Sequence, residues 1–215
     1  MHFWPAVIRH FLKKSKLQAW FENKREEVFE NRLNFSNSSN SSVCVPTPEF
    51  HAVQQMAHMY HHLFDSGIGL RQVLDYYMVL RTLMSSNSSK GSTSSRMQEV
   101  SSAIEYIGMG RFASAMMWVI KTIFISHENE DENEKIFPWK PNKKDGEFLL
   151  GEIMRGGNFG RHDDRKNLRK GGYINSFLGG IARNFRYLRF NPFDWFWSPL
   201  WRLYYFGWRR VNGYK

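Results

Sequence analysis

The sequence predicts a mostly α protein, a helical bundle-like domain with a basic, aromatic C-terminal helical tail. Three observations predict it. Apolar residues between 50 and 80 recur at three- and four-residue steps, the mark of helices with one buried face. Residues 111–125 are apolar nearly all round, as a central helix is. No stretch shows the strict alternation of a strand hairpin.

In chain order, residues 5–33 read as a helix. Pro5 suits its first turn, and Val7, Phe11, Leu17, Trp20, Phe21 and Val28 form an imperfect stripe. The polar run at 34–42 reads as a loop. Thr47-Pro48-Glu49 is a strong helix start: a capping hydroxyl, a proline that needs no amide partner, and an acid at the positive end of the dipole. Phe50, Val53, Ala57, Tyr60 and Phe64 then mark one buried face. Asp65-Ser66-Gly67 ends that helix, and Gly69 allows re-entry into another with Leu70, Val73, Leu74, Tyr77 and Leu80 facing inward. The short link implies an antiparallel hairpin.

Residues 85–95 form a second polar loop, and Ser95 with Gln98 resembles a capping box. Met97, Val100, Ile104 and Ile107 mark the next helix, closed by Gly108. The apolar helix at 111–125 follows, then an acidic loop at 127–135 and a short helix over 147–154. The total is about five to eight helices around one core. Residues 1–33, 45–155 and 156–215 are expected as an N-terminal helix, a helical domain and a tail.

Composition narrows the function. One cysteine, Cys44, precludes an intrachain disulfide and fits a reducing, cytoplasmic setting. The most apolar stretch is interrupted by Lys121 and falls short of the ~20 residues a spanning helix needs. The N-terminus lacks the order of a signal peptide, so the Asn-x-Ser matches at Asn34, Asn37, Asn40 and Asn87 are read as accidental. The net charge of +10 lies wholly in residues 155–215, which hold 13 Lys/Arg against 3 Asp/Glu. Any partner for that charge belongs there.

Two constellations stand out. His58 and His62 share one helix side at i, i+4, as do Arg71 and Asp75 on the next helix. The hairpin can bring all four together, or Arg71 can pair with Asp75 as a polar lock beside exposed histidines. His51, His58, His61 and His62 are crowded, but without a Glu-His pairing or a cysteine cluster no metal site is assigned. In the tail, 15 aromatics lie between Tyr173 and Tyr214, with Arg186, Arg189, Trp195, Trp197, Trp201, Arg202 and Trp208 among the interleaved set. Rings and arginines suit an anionic membrane surface or packing against another domain. Nucleic acid is the less favoured partner, because the rings outnumber what base stacking needs. Gly156-Gly157-Asn158-Phe159-Gly160 lacks the phosphate-loop pattern and reads as a glycine turn.

Residues 45–80, with 111–120, 148–165 and 197–202 in the same order, resemble blocks of a bacterial nucleotidyltransferase family of the DNA polymerase β-like superfamily, common in gut Bacteroidetes. The resemblance covers the C-terminal helical part of such proteins. It implies nucleotidyl transfer from a nucleoside triphosphate by a full-length member, with Mg²⁺ gripped by Gly-Ser, Asp-x-Asp and a third carboxylate. It also implies that His58, His62, Arg71 and Asp75 line the nucleotide or acceptor side. This chain has no Asp-x-Asp, and its one Gly-Ser pair, Gly91-Ser92, lies in a serine-rich loop. Met1-His2-Phe3 resembles the end of the strand carrying the third carboxylate, so the expected partner is a missing or separate catalytic domain. The expectation is a chain inactive alone that binds no cofactor itself. It would be cytoplasmic and, in the alternative reading, peripheral at the inner membrane through its tail.

Overall fold

The computed structural model describes residues 8, 10–34, 42–65, 67–85, 93–125, 137–156 and 185–190, and eleven positions between 192 and 213. Among the described residues the fold is mostly α, as the periodicity predicts. Seven α-helices are present: α1 (Phe11–Asn23), α2 (Arg25–Glu30), α3 (Pro48–Asp65), α4 (Leu70–Ser85), α5 (Thr93–Ile107), α6 (Gly110–Phe124) and α7 (Lys143–Gly156). A 3₁₀ turn follows at Arg186–Arg189.

The N-terminal region departs from the single helix expected over 5–33. His10 caps α1, its Nδ1 accepting the Lys13 N–H at 3.3 Å, so the helix starts at Phe11. Pro5 and Val7 lie outside the described residues. Phe11 is exposed, whereas Leu17 and Phe21 enter the core. The helix breaks at Lys24, whose Nζ pairs with Glu27 and with Glu99 on α5. Chain past α2 becomes a strand. β1 (Arg32–Asn34) pairs antiparallel with β2 (Ser42–Cys44), Arg32 opposite Cys44. No strand pair was expected here; three-residue strands are too short to show an alternating pattern.

α3 begins as its sequence dictates. The Thr47 hydroxyl accepts the Phe50 N–H at 3.2 Å, and Glu49 pairs with buried Arg96 of α5. The whole predicted stripe, Phe50, Val53, Ala57, Tyr60 and Phe64, is buried. At the far end Gly67 adopts φ +95°, and its N–H donates to the His62 carbonyl at 2.7 Å. α5 closes the same way: Gly108 sits at φ +82° and the Met109 N–H reaches the Ile104 carbonyl at 3.0 Å. Both are left-handed helix ends that favour glycine.

α4 is rotated relative to expectation. Val73 and Leu80 face inward as predicted, but Tyr76, Val79 and Leu83 complete the buried face. Leu70 and Leu74 are exposed and Tyr77 is half-buried, stacking on Phe124 of α6 at 5.4 Å. The α3–α4 hairpin is antiparallel in sense, since Gln55 meets Gln72 and His51 shares a cavity with Asp75. Ile68 in the link is buried, and the Gln55–Gln72 contact puts the start of α4 beside the middle of α3.

α6 is the central helix, burying Phe112, Met116, Met117, Val119 and Ile120. α7 packs most extensively on it. α7 runs from Lys143, longer than the 147–154 expected, because Asn142 caps it: its side-chain oxygen accepts the Asp145 N–H at 3.1 Å. The 3₁₀ turn lies on this pair, with Tyr187 and Phe190 buried against Phe64, Phe112 and Phe148. The acidic loop at 127–135, the pair Gly91-Ser92 and the segment 157–184 lie outside the described residues. No described helix is long and apolar enough to cross a membrane.

Candidate functional site

The offset hairpin leaves a cavity of about 310 Å³ between α3 and α4, lined by His51, Gln54, Gln55, His58, Met59, Gln72 and Asp75. Two features of local chemistry build it. On α3, His51, Gln54, Gln55 and His58 follow at i, i+3, i+4 and i+7, a polar stripe beside the buried apolar one. On α4, Gln72 and Asp75 sit one turn apart in the first two turns.

The amides are held in fixed orientations. Gly69 N–H donates to Gln72 Oε1 at 3.0 Å while Gln72 N–H donates to the Gly69 carbonyl at 3.0 Å. This reciprocal pair starts α4 as a capping box does. Gln55 Nε2 donates to the Gln72 backbone carbonyl at 3.4 Å. A carbonyl only accepts, so this contact settles which end of the Gln55 amide is nitrogen. Gln55 Oε1 is buried and meets no donor of the protein.

Desolvation of the His51 imidazole holds its pKa below the ordinary histidine value, while the charge of Asp75 opposes that shift in part. His51 is therefore mostly neutral at pH 7. His58 and His62 approach Nε2 to Nε2 at 3.0 Å, edge to face; at that distance one ring donates and the other accepts.

Of the four residues implied by resemblance, His58 and Asp75 line the cavity. His62 joins it through His58. Arg71 is exposed, does not line the cavity and forms no ion pair with Asp75, so the polar-lock arrangement is not formed. Gln54, Gln55 and Gln72 were not singled out from sequence, and His51 was named only among the crowded histidines. The i, i+3, i+4, i+7 spacing of His51, Gln54, Gln55 and His58 is the signal for the α3 residues; Gln72, on α4, carries none.

Among the tail residues, Arg186 and Arg189 fold back onto α7. Arg186 Nη1 lies 3.3 Å from Glu152 Oε1, and Tyr187 donates to Glu152 Oε2 at 3.1 Å. Arg189 Nε lies 3.0 Å from Asp145 Oδ1, and its guanidinium stacks over Phe148 at 4.5 Å. Trp208 is helical and exposed. Trp195, Trp197, Trp201 and Arg202 lie outside the described residues.

Among the described residues no group of three or more His, Cys, Asp or Glu side chains could hold a metal ion. No protein family, curated protein or solved structure matches the chain.

Proposed function

We propose that this chain is the helical, non-catalytic part of a nucleotidyltransferase-type protein, and that the α3–α4 cavity is where it meets the nucleotide or the acceptor. The observation that carries the reading is the cavity itself. It gathers two of the residues the resemblance implies, His58 and Asp75, with three glutamines and His51. Its volume, about 310 Å³, is at the small end of ligand pockets and large enough for a nucleobase. Fixed amides and a neutral imidazole suit hydrogen-bond recognition. The chain has no Asp-x-Asp to grip paired cations, so catalysis is assigned to a separate catalytic domain with its own Mg²⁺.

The test has two arms. Incubation of the pure chain with each of the four triphosphates and Mg²⁺ should give no nucleotide transfer. Millimolar nucleotide should shift the His51 and His58 ring resonances. Metal-dependent turnover overturns the non-catalytic assignment; unmoved histidines overturn the cavity assignment.

A second reading is favoured by the tail. Leu200, Leu203, Tyr204, Trp208 and Val211 are exposed at helical positions. Arg202, Arg209 and Arg210 accompany them in a segment that carries the whole net charge. Exposed apolar residues among arginines suit an anionic bilayer surface. Flotation with anionic vesicles at low salt, lost on truncation at Gly171, supports it. Absence of flotation, or flotation that survives truncation, overturns it.

A further inference from the structure

His58 and His62 lie one turn apart on α3, and their rings are angled toward one another rather than set in line. Their Nε2 atoms stand 3.0 Å apart, with ring centroids at 4.4 Å and ring planes at 85°. A linear N–H···N bond of that length would hold the centroids about 5.3 Å apart. The hydrogen bond between them is therefore bent, and weak for its length. Two imidazoles bound at a right angle to one ion, each nitrogen about 2.1 Å from it, place their nitrogens about 3.0 Å and their centroids about 4.6 Å apart. The pair lies closer to that arrangement than to a linear hydrogen bond. It is also open to solvent, His58 being exposed and His62 half-buried. His61 faces elsewhere: its Nδ1 is buried, and neighbouring helix residues diverge by about 100°.

We propose that His58 and His62 form an exchangeable site for a divalent transition-metal ion of the Zn²⁺ or Ni²⁺ class. Imidazole suits such ions, whereas Mg²⁺ takes oxygen ligands. Each ring offers Nε2 to the ion and carries its proton on Nδ1. The ring that donates in the metal-free pair therefore shifts its proton from Nε2 to Nδ1 through solvent, and the bent hydrogen bond is exchanged for two metal–nitrogen bonds. Among the described residues no group of three His, Cys, Asp or Glu is assembled, so water fills the remaining positions. A right-angle bite suits a six-coordinate ion of that kind. With two protein ligands the site fills and empties with metal concentration, unlike the closed four-ligand sites of structural zinc. An ion there clips consecutive turns of α3 together. It also sets a positive charge with open positions beside the α3–α4 cavity, which His58 lines together with Asp75. The i, i+4 spacing alone assigned no metal, because it brings two rings together without fixing where their nitrogens point. The pair binds its ion whether or not the cavity takes a nucleotide.

Titration of the full chain with Zn²⁺ at neutral pH, read by nitrogen NMR of the histidine rings, tests it. The Nε2 signals of both His58 and His62 should move, with Nδ1 of each ring protonated. Mg²⁺ at millimolar concentration should move neither. His58→Gln and His62→Gln each remove one ligand outside the buried core. Each should weaken Zn²⁺ binding about tenfold or more, because the remaining imidazole loses the partner that binds intramolecularly. Cys44 is an exposed thiol elsewhere on the surface, and Cys44→Ser should leave the two histidine shifts in place. Nε2 signals that stay unmoved at millimolar Zn²⁺ overturn the proposal, as does a single-histidine variant that binds Zn²⁺ as tightly as the unaltered chain. Shifts confined to other histidines, or lost in Cys44→Ser, put the metal at another place and overturn it as well.

Discussion

Arg111 grips the carboxylate of Asp145 with two hydrogen bonds, Nε to Oδ2 at 2.6 Å and Nη2 to Oδ1 at 3.1 Å. The first turn of α6 is thereby tied to the first turn of α7, and Arg189 adds a second cation from the 3₁₀ turn. Burial alone would raise the Asp145 pKa. The hydrogen bonds and charge of Arg111, with the charge of Arg189, outweigh burial and hold it below the ordinary carboxylate value.

Arg111→Ala should therefore destabilise the protein at pH 7. Asp145 keeps Arg189, and half of the Arg111 side chain is in solvent, so the loss is about 1–2 kcal/mol rather than the full cost of orphaning a buried charge. Because the folded pKa is depressed, this stability is present above the unfolded value of about 4 and is lost as pH falls through the folded one. Urea midpoints of wild type and variant should differ at pH 7 and converge on acidification below about pH 4. A gap that stays constant down to pH 2–3 contradicts the assignment.

The same helix pair sets a steric limit. A Cβ on Gly146 would meet Trp118 Cε3 at 2.5 Å and Cβ at 2.6 Å, whereas a Cβ on Gly151, further along α7, meets nothing within 4 Å. Gly146→Ala must push α7 off α6 and should cost about 1–3 kcal/mol. Gly151→Ala should be stabilising by up to about 1 kcal/mol, because glycine weakens a helix interior. Thermal midpoints moving in opposite directions are expected; two shifts of the same sign are not.

Arg96 is buried, pairs with Glu49 and donates from Nη1 to the Leu83 carbonyl at 3.2 Å. One side chain thus joins the start of α3, the end of α4 and α5. Arg96→Ala leaves Glu49 and a helix-end carbonyl without their donor, a loss of about 3 kcal/mol. Arg96→Met combined with Glu49→Gln should recover part of it, since removing both charges avoids the orphaned one. Chemical denaturation of the three proteins checks the order. A double variant less stable than Arg96→Ala would count against the pair.

How much was legible follows from what each element needed. The α3 stripe was readable because its apolar residues recur on one side only, and Thr47-Pro48 marks its start without help from elsewhere. α4 was not, because apolar residues lie nearly all round it: Leu70, Val73, Leu74, Tyr76, Tyr77, Met78 and Val79 leave the phase of the stripe open. Packing against α3, α5 and α6 chose the side with Tyr76. The break at Lys24 carries no glycine or proline; ion pairs to Glu27 and Glu99 accompany it, and one of those partners is remote in sequence. Arg71 and Asp75 share a helix side, yet only Asp75 reaches the cavity. The cavity's glutamines are hidden by residue type: an amide carries no charge or titration to mark it, and only the fold fixes its orientation.

His51 and Asp75 bring that cavity to a titration experiment. Desolvation lowers the His51 pKa and the Asp75 charge raises it, with desolvation the larger effect. His51 should titrate below the ordinary histidine value of about 6.5. Asp75→Asn removes the opposing charge and should move the His51 midpoint further down. The neutral ring contributes stability that is present above about pH 6.5 and declines as pH falls toward the folded value, since the unfolded chain takes up the proton first. Following the His51 ring protons by NMR across pH 4–8 measures both midpoints directly. A wild-type midpoint at or above the ordinary value would mean that the ring is solvated rather than seated against the cavity wall. An unchanged midpoint in the Asp75→Asn variant would place Asp75 too far from the His51 ring to act on it.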